Sequence, residues 1–235
     1  MQLLQVTTTL STRKLQAAVF LLTSQSQQYK IQCSRTFDQI LSATCWPAYN
    51  AVNFHSSYDF EKDFFGKLRV DISMLSAGDT AVIYIGEKLD ESGKIDRKPG
   101  GNIRFYRYMV TKNTEDFLFL PNVPDKKNTS GNAIRLPISM GIVAPFRYAE
   151  IEKSPSAGKI KLSREYFHYR FNEQASSFKS NDKALNAIWD LCKHTIKATS
   201  FMGLYIDGDR ERIPYEADAL INQLSHYALD TEYSL

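Results

Sequence analysis

The stretch GLYIDGDRERIPYEADALINQLSHY, residues 203–227, places more titratable side chains beside an aromatic ring and a helix start than any other stretch of the chain. Acidic and basic residues alternate over residues 207–212, and the glycine at 208 between two aspartates is a turn signal. Pro214 suits the first turn of a helix, where its missing N–H would have no partner in any case. Apolar residues then recur at helical spacing. The pattern therefore predicts an acidic loop that leads into a helix over about residues 214–229.

The carboxyl groups of this loop and helix favour acid/base chemistry. Glu211 is placed on the loop, and Asp218 falls in the early turns of the helix. A carboxyl group at a helix entrance meets exposed backbone N–H donors, which favour its charged form. Neighbouring carboxylates act in the opposite direction and can keep one group protonated near neutral pH. Carboxyl groups whose pKa values are driven apart are what acid/base catalysis requires.

Two other interpretations of the acidic loop stay open at this point. Runs of charge are usually solvated, so the segment could be a surface loop and a capped helix with ordinary ion pairs. Asp207, Asp209 and Glu211 also alternate as the ligands of a calcium loop do. However, the position at which such a loop needs glycine holds Arg212, and the closing glutamate would be Asp218. We therefore predict no metal site and no cofactor.

A family resemblance gives the acidic loop a specific interpretation. Residues 166–230 resemble the start of the catalytic domain of bacterial α-L-rhamnosidases, a glycoside hydrolase family, and residues 178–189 resemble its first barrel helix. The family pattern of Asp, Arg, acid, base, aromatic and final Asp is matched by Asp207, Arg210, Glu211, Arg212, Tyr215 and Asp218. The spacing from Asp207 to Glu211 is shorter than is usual in the family, so Asp209 is an alternative to Asp207. The chain also departs from the family where the usual Cys-Pro after the first Asp is replaced by Gly208 and Asp209. It departs again where the common Trp is Tyr215.

The resemblance implies an inverting hydrolysis of terminal α-L-rhamnosyl residues in which Glu211 is the general acid. The residues implied to bind the sugar are Asp207, Arg210, Tyr215 and Asp218. Glycoside hydrolysis usually needs a second carboxyl group, and in this family it comes from a much later helix. The implied substrate is a rhamnose-containing oligosaccharide or glycoside. We further expect the remainder of the catalytic barrel to lie C-terminal to Leu235, and the 235-residue chain alone to be inactive.

The rest of the chain predicts a mixed fold: a β-sandwich domain followed by two helices, which the resemblance identifies as the first helical hairpin of an incomplete (α/α)6 barrel. Short strands with turn punctuation are typical of a sandwich. After a polar linker, the candidate N-caps Ser180, Asn181 and Asp182 precede an amphipathic helix. The predicted strands cover residues 52–60, 68–72, 81–85, 103–110, 117–120, 142–148 and 166–171. The predicted parts are an N-terminal extension at 1–44, the sandwich at 45–171, the linker at 172–180 and the start of the barrel at 181–235.

Composition excludes several classes of function. The net charge is only +3, and the sequence has no stripe of Lys and Arg with interleaved aromatic residues. Both observations argue against a dedicated nucleic-acid surface. No apolar run is long enough for a membrane span. A signal-like segment after Arg13 favours an extracytoplasmic protein. The three cysteines form no disulfide framework, and Cys192 is predicted to be a small core residue.

Two rival functions remain for the sequence. One is a non-catalytic carbohydrate-binding module, in which aromatic residues of the β region stack on sugar rings; the candidates are Tyr106, Tyr108, Tyr166 and Tyr169. Aromatic residues in strands more often pack within the sheet. The other is a lyase or phosphorylase on a similar helical barrel. The histidines are interpreted as surface or structural residues, and among them His226 is the one of interest for the site, because it shares the predicted helix with Asp218.

Overall fold

The computed structural model describes residues 56–126, 131–152, 155–201 and 203–231. The predicted extension at 1–44 and the start of the first predicted strand lie outside these residues. The elements, in chain order, are β1 (Ser56–Asp71), β2 (Thr80–Gly86), β3 (Phe105–Thr111), β4 (Phe117–Leu120), β5 (Ala144–Ile151), β6 (Lys161–Phe167), α1 (Lys183–Thr199), β7 (Ser200–Phe201), β8 (Leu204–Tyr205) and α2 (Glu216–Asp230).

The first six strands form one curled antiparallel sheet in the order β3-β2-β5-β1-β4, with β6 also paired to β1. The N-terminal half of β1 pairs with β5, whereas its C-terminal half lies between β4 and β6. Pairing with β5 shifts register between Asp59 and Phe64, where Glu61 adopts a φ of 66°. Such a bulge bends a strand and increases its twist. The two halves of β1 can therefore pair with different strands of the sheet.

A buried arginine stabilises the bulge. The Arg164 guanidinium donates hydrogen bonds of 2.8 Å to the Lys62 carbonyl, 2.7 Å to the Phe146 carbonyl and 3.3 Å to the Phe60 carbonyl. Buried backbone carbonyls that lose their strand partners need other donors. Arg164 supplies those donors from β6. The main core lies beside it, and its fully buried side chains include Leu68, Val70, Ile72, Ile83, Ile85, Phe146 and Ile151.

The predicted mixed fold, a β domain followed by two helices, is confirmed, with some boundaries moved; the described strands β1–β6 form one curled antiparallel sheet where a sandwich was predicted. The described part of the predicted strand at 52–60 and residues 68–71 of the next predicted strand belong to the single strand β1, because the bulge lets pairing continue through the polar residues between them. The last predicted strand, 166–171, is β6, which begins earlier and ends at Phe167. The strands predicted at 81–85 and 117–120 are β2 and β4.

The two helices leave much of their apolar faces exposed. Asp182 caps α1 as predicted, accepting a 2.7 Å hydrogen bond from the Ala184 N–H. The prediction that Cys192 is a core residue is wrong: it is exposed, because no other described element covers that face of α1. The exposed apolar side chains, 45–64% accessible, are Leu185, Ile188, Leu191, Leu220, Ile221 and Leu224. Within the described residues, no helix has the length and apolar character needed to cross a membrane.

Candidate active site

The acidic loop joins β8 to α2 and closes on itself through backbone bonds. The Arg212 N–H donates to the Gly208 carbonyl at 3.2 Å, and the Asp207 N–H donates to the Ile213 carbonyl at 3.3 Å. The Asp207 carboxylate accepts the Ile213 N–H at 3.2 Å. Gly208 has a φ of 116° and Arg212 a φ of 53°. The left-handed region suits glycine but is uncommon for arginine, so surrounding contacts must hold Arg212 in place.

Four of the predicted site residues form one connected group. The Arg210 guanidinium lies 3.3 Å from an Asp207 carboxylate oxygen and 2.9 Å from a Glu211 carboxylate oxygen. The Tyr215 hydroxyl donates a hydrogen bond to the other oxygen of Glu211, and this bond raises the pKa of Tyr215. The Glu211 side chain is 31% exposed and Arg210 is 51% exposed. The group is therefore held by internal bonds while open to solvent.

Asp218 is not joined to this group by any hydrogen bond or ion pair between described residues. It is exposed and lies in the first turn of α2, as the sequence predicted. Glu216 lies two residues earlier in the same turn. The helix itself begins at Glu216 rather than at Pro214, and Tyr215 is its N-cap residue. The structure therefore places Asp218 beside the loop without assigning it a contact there.

Asp209, the alternative to Asp207, is committed to two arginines. Its Oδ1 accepts bonds of 2.9 and 2.6 Å from Arg212, and its Oδ2 accepts a bond from the Arg104 Nε. The Arg104 Nη2 also donates to the Asp209 carbonyl at 2.8 Å. Asp209 is buried, and both its carboxyl oxygens are occupied. Asp207 is consequently the aspartate that lies beside Arg210 and Glu211.

Arg212 fastens the loop to the sheet and to the β7–β8 hairpin. It is 4% exposed, and its Nη2 donates to the Val143 carbonyl at 2.8 Å. Its guanidinium lies 5.2 Å from the Phe65 ring centroid and 5.8 Å from that of Phe201. Its carbonyl accepts the Ile134 N–H at 2.9 Å. These contacts offset its unfavourable backbone conformation.

A pair of carboxyl groups next to Arg104 was not predicted from the sequence. The Glu87 carboxylate accepts a hydrogen bond from the Arg104 N–H and faces Asp63 on β1. Burial, together with the charge of Asp63, raises the pKa of Glu87 to about 8, and burial also raises the pKa of Asp63. The nearby charge of Asp209 acts in the same direction on both. Below pH 8 the pair therefore holds a proton. No local sequence signal links these residues, because they meet only through the sheet.

We expect the Glu87→Gln substitution to stabilise the chain increasingly as pH rises from 5 to 8. The folded chain binds this proton more tightly than the unfolded chain, whose glutamate titrates near 4.5, so folding loses stability as pH rises between those values. Glutamine resembles the protonated acid and removes this loss. The difference in Tm between variant and wild type should grow over that interval and level off above it.

The matched control for this measurement is Glu91→Gln, which changes an exposed glutamate in the following turn. Taking the difference from wild type cancels the other titrating groups, including His168 and His194, whose pKa values are lowered by burial. A Tm difference independent of pH would show that Glu87 is not protonated in the folded chain.

His226 is a structural residue, fully buried behind the loop. One ring nitrogen lies 2.7 Å from the Tyr205 hydroxyl, and the other lies 2.9 Å from an Asp230 carboxylate oxygen. Its ring stacks on Phe171 at 5.2 Å. The other oxygen of Asp230 accepts the Asn172 N–H at 2.9 Å. This network fixes β8, two residues before Asp207, against the last turn of α2.

Within the described residues, no group of three or more His, Cys, Asp or Glu side chains is arranged to hold a metal ion. The side chains of the acidic loop can supply acid/base and hydrogen-bonding chemistry. A carboxyl group held between a guanidinium and a phenol, open to solvent, can exchange a proton with a bound molecule. The neighbouring Asp207 and Arg210 offer an acceptor and donors to hydroxyl groups.

One segment of the chain matches a known protein family. Residues 173–234 match the family model described as the bacterial alpha-L-rhamnosidase 6 hairpin glycosidase domain. The search of curated proteins gave no match. The C-terminal part of the chain is thus similar to the six-hairpin glycosidase domain of the bacterial α-L-rhamnosidases. The resemblance expected from the sequence is confirmed.

The chain is also similar to parts of several solved structures. The chain is similar to a GH78 family rhamnosidase of Bacillus sp. GL1, with a TM-score of 0.51 and 16% identity over 80% of this chain and 18% of that one. Lower similarities are to a Streptomyces avermitilis α-L-rhamnosidase complexed with L-rhamnose (TM-score 0.45, 16% identity, 74% of this chain and 15% of that one) and to a Klebsiella oxytoca rhamnosidase with rhamnose bound (0.41, 15%, 83% and 37%). The chain spans between 15% and 37% of the length of these structures.

Proposed function

We propose that this chain is the β region and the first helical hairpin of a glycoside hydrolase that removes terminal α-L-rhamnosyl residues with inversion of configuration. The observation that carries the proposal is the connected group of Asp207, Arg210, Glu211 and Tyr215 inside the segment that matches the rhamnosidase family. Its proposed substrate is a rhamnose-containing oligosaccharide or glycoside.

In the proposed reaction Glu211 protonates the glycosidic oxygen as the bond to the leaving group breaks. Tyr215 holds one oxygen of Glu211 and leaves the other beside Arg210. Asp207 and Arg210 would bind hydroxyl groups of the sugar, Tyr215 would also give the ring an apolar wall, and Asp218 would complete the binding set from the first turn of α2. In an inverting enzyme a second carboxylate activates water on the opposite face, roughly 6.5–9.5 Å from the acid. We propose that this base is on a later helix.

The exposed apolar faces of α1 and α2 support the idea that this hairpin begins a larger helical barrel. Their exposed leucines and isoleucines lie on the two elements of the family segment, and single helices bury such faces against neighbours. We propose that further hairpins C-terminal to Leu235 cover them. On this proposal residues 45–171 are the β domain, 172–180 the linker and 181–235 the start of the barrel.

The test compares the 235-residue chain with a longer product of the same reading frame on an aryl α-L-rhamnoside. We expect turnover by the longer protein and none by the 235-residue chain, because the base is supplied by later helices. The aryl β-D-glucoside with the same leaving group is the substrate control. Equal turnover by both proteins would contradict the need for further hairpins, and no turnover by the longer protein would contradict the activity.

Product analysis separates the proposed hydrolase from related chemistries. Hydrolysis gives free rhamnose, whose initial anomer in NMR reports inversion or retention. A lyase would give an unsaturated sugar, and a phosphorylase a sugar phosphate. The carbohydrate-binding module gains no specific support, because Tyr106 and Tyr108 pack against the core and Tyr166 stacks on Phe64 at 4.7 Å.

A further inference from the structure

The backbone of Arg104, immediately before β3, is fixed from both sides by Glu87. The Arg104 N–H donates to the Glu87 carboxylate, and the Arg104 carbonyl accepts the Glu87 N–H at 3.3 Å. β2 and β3 are paired from Gly86↔Phe105 onward. Arg104 therefore projects from a rigid end of the sheet.

All three nitrogens of the Arg104 side chain have acidic or carbonyl partners. Nε binds the Asp209 carboxylate, Nη2 donates to the Asp209 carbonyl at 2.8 Å, and Nη1 lies 3.4 Å from an Asp125 carboxylate oxygen. The Arg104 side chain is 15% exposed and that of Asp209 is 5% exposed. A planar guanidinium that binds both a carboxylate and the carbonyl of the same residue defines its orientation as well as its position.

Arg210 and Glu211 lie in the loop between two anchored residues, Asp209 and Arg212. Asp209 on one side is bound by Arg104 and Arg212, and Arg212 on the other side is buried against the sheet. Between these two anchors, the side chains of Arg210 and Glu211 are 51% and 31% exposed. A loop segment of two residues with fixed ends has few conformations, so the place of the Glu211 carboxyl follows from the anchors.

We propose that Arg104, from the β region, is a positioning residue for Glu211: it holds the acidic loop through Asp209 and so sets where the Glu211 carboxyl lies. The effect of Arg104 on catalysis rests on the proposed function, whereas the effect of Arg104 on the conformation of the loop does not. The β region would then be a working part of the rhamnosidase site, although no atom of Arg104 touches the reacting bond.

The first arm of the test measures amide hydrogen exchange in the 235-residue chain and needs no activity. In Arg104→Met, the Arg212 and Ile213 amides, which are bonded inside the loop, should exchange at least about tenfold faster, since a loop that has lost its anchor opens locally. The β1 and β5 amides should stay within about twofold of wild type. The matched control is Arg107→Met, an exposed arginine on β3, which should change neither set.

The second arm measures kinetics in the longer protein. Arg104→Met should lower kcat by about tenfold or more with KM within about twofold, because a displaced acid affects the chemical step more than binding. If Arg104→Met does not fold, Arg104→Lys is used in both arms. Lysine keeps the charge but cannot bind carboxylate and carbonyl as a fork, so it should show the same changes to a smaller degree.

The outcomes distinguish this inference from the proposed function. Faster exchange confined to the loop together with reduced kcat supports the inference. Loop amides that exchange as in Arg107→Met, exchange that rises equally throughout the sheet, or an unchanged kcat despite a loosened loop would each overturn it. Inactivity of the wild-type longer protein would reject the proposed function, and the exchange arm would still decide whether Arg104 holds the loop.

Discussion

Replacing Glu211 with glutamine in the longer protein is expected to lower turnover of an alkyl α-L-rhamnoside by about 10²–10⁴-fold, the usual contribution of a general acid. Glutamine is close in shape and can keep a hydrogen bond with Tyr215, but it has no proton to transfer to the leaving oxygen. Rhamnose binding should be largely retained. The measurements are kcat and KM, with rhamnose inhibition as the binding assay.

The leaving group makes this test specific for the acid role. A 4-nitrophenyl group leaves as a stable anion and needs little protonation, so the Glu211→Gln loss should be much smaller for the nitrophenyl rhamnoside than for the alkyl rhamnoside. Glu216→Gln, which changes an exposed carboxyl group in the first turn of α2, is the matched control and should leave both rates near wild type. An equal loss on both substrates, or no loss, would remove Glu211 from the acid role.

The second large effect is on stability. Arg212→Met is expected to lower the free energy of unfolding by about 3–5 kcal/mol, the usual cost of removing one partner of a buried charge pair. The substitution leaves Asp209 Oδ1 and the Val143 carbonyl without their donor in a buried site. It also keeps a side chain at the left-handed backbone position without the contacts that hold it there.

Denaturant unfolding of the 235-residue chain measures this effect. Arg210→Met is the control, because Arg210 is 51% exposed and its ion pairs are screened by water; its cost should be below about 1 kcal/mol. Equal destabilisation by the two substitutions would show that the Arg212 contacts contribute little to folding.

The parts of the molecule that could be predicted from the sequence are those in which the signal is local. Asp182 acts as the N-cap because its side chain bonds a backbone N–H two residues later. Arg210 reaches Asp207 and Glu211 because all three share one short loop. The helices α1 and α2 could be predicted because their apolar residues recur at helical spacing, a signal that does not depend on the rest of the fold.

The parts that could not be predicted depend on residues far apart in the chain. Arg104 and Asp209 are separated by 105 positions, and neither has a neighbour that indicates the other. Asp63 and Glu87 meet only because the sheet curls. The exposure of Cys192 was mispredicted for a related reason: periodicity shows which face of a helix is apolar, but not whether anything covers it.

Strand β1 has a consequence for how the chain is synthesised. Among the described strands it comes first, yet its partners β5 and β6 lie roughly 80–100 residues later in the chain. Pairings of such wide separation form slowly, and β1 leaves the ribosome well before β5 and β6 exist. During that interval its N-terminal half lacks its partner β5 and its C-terminal half has only β4 beside it, a situation that favours aggregation. We therefore expect the nascent chain to need a chaperone until β6 has emerged.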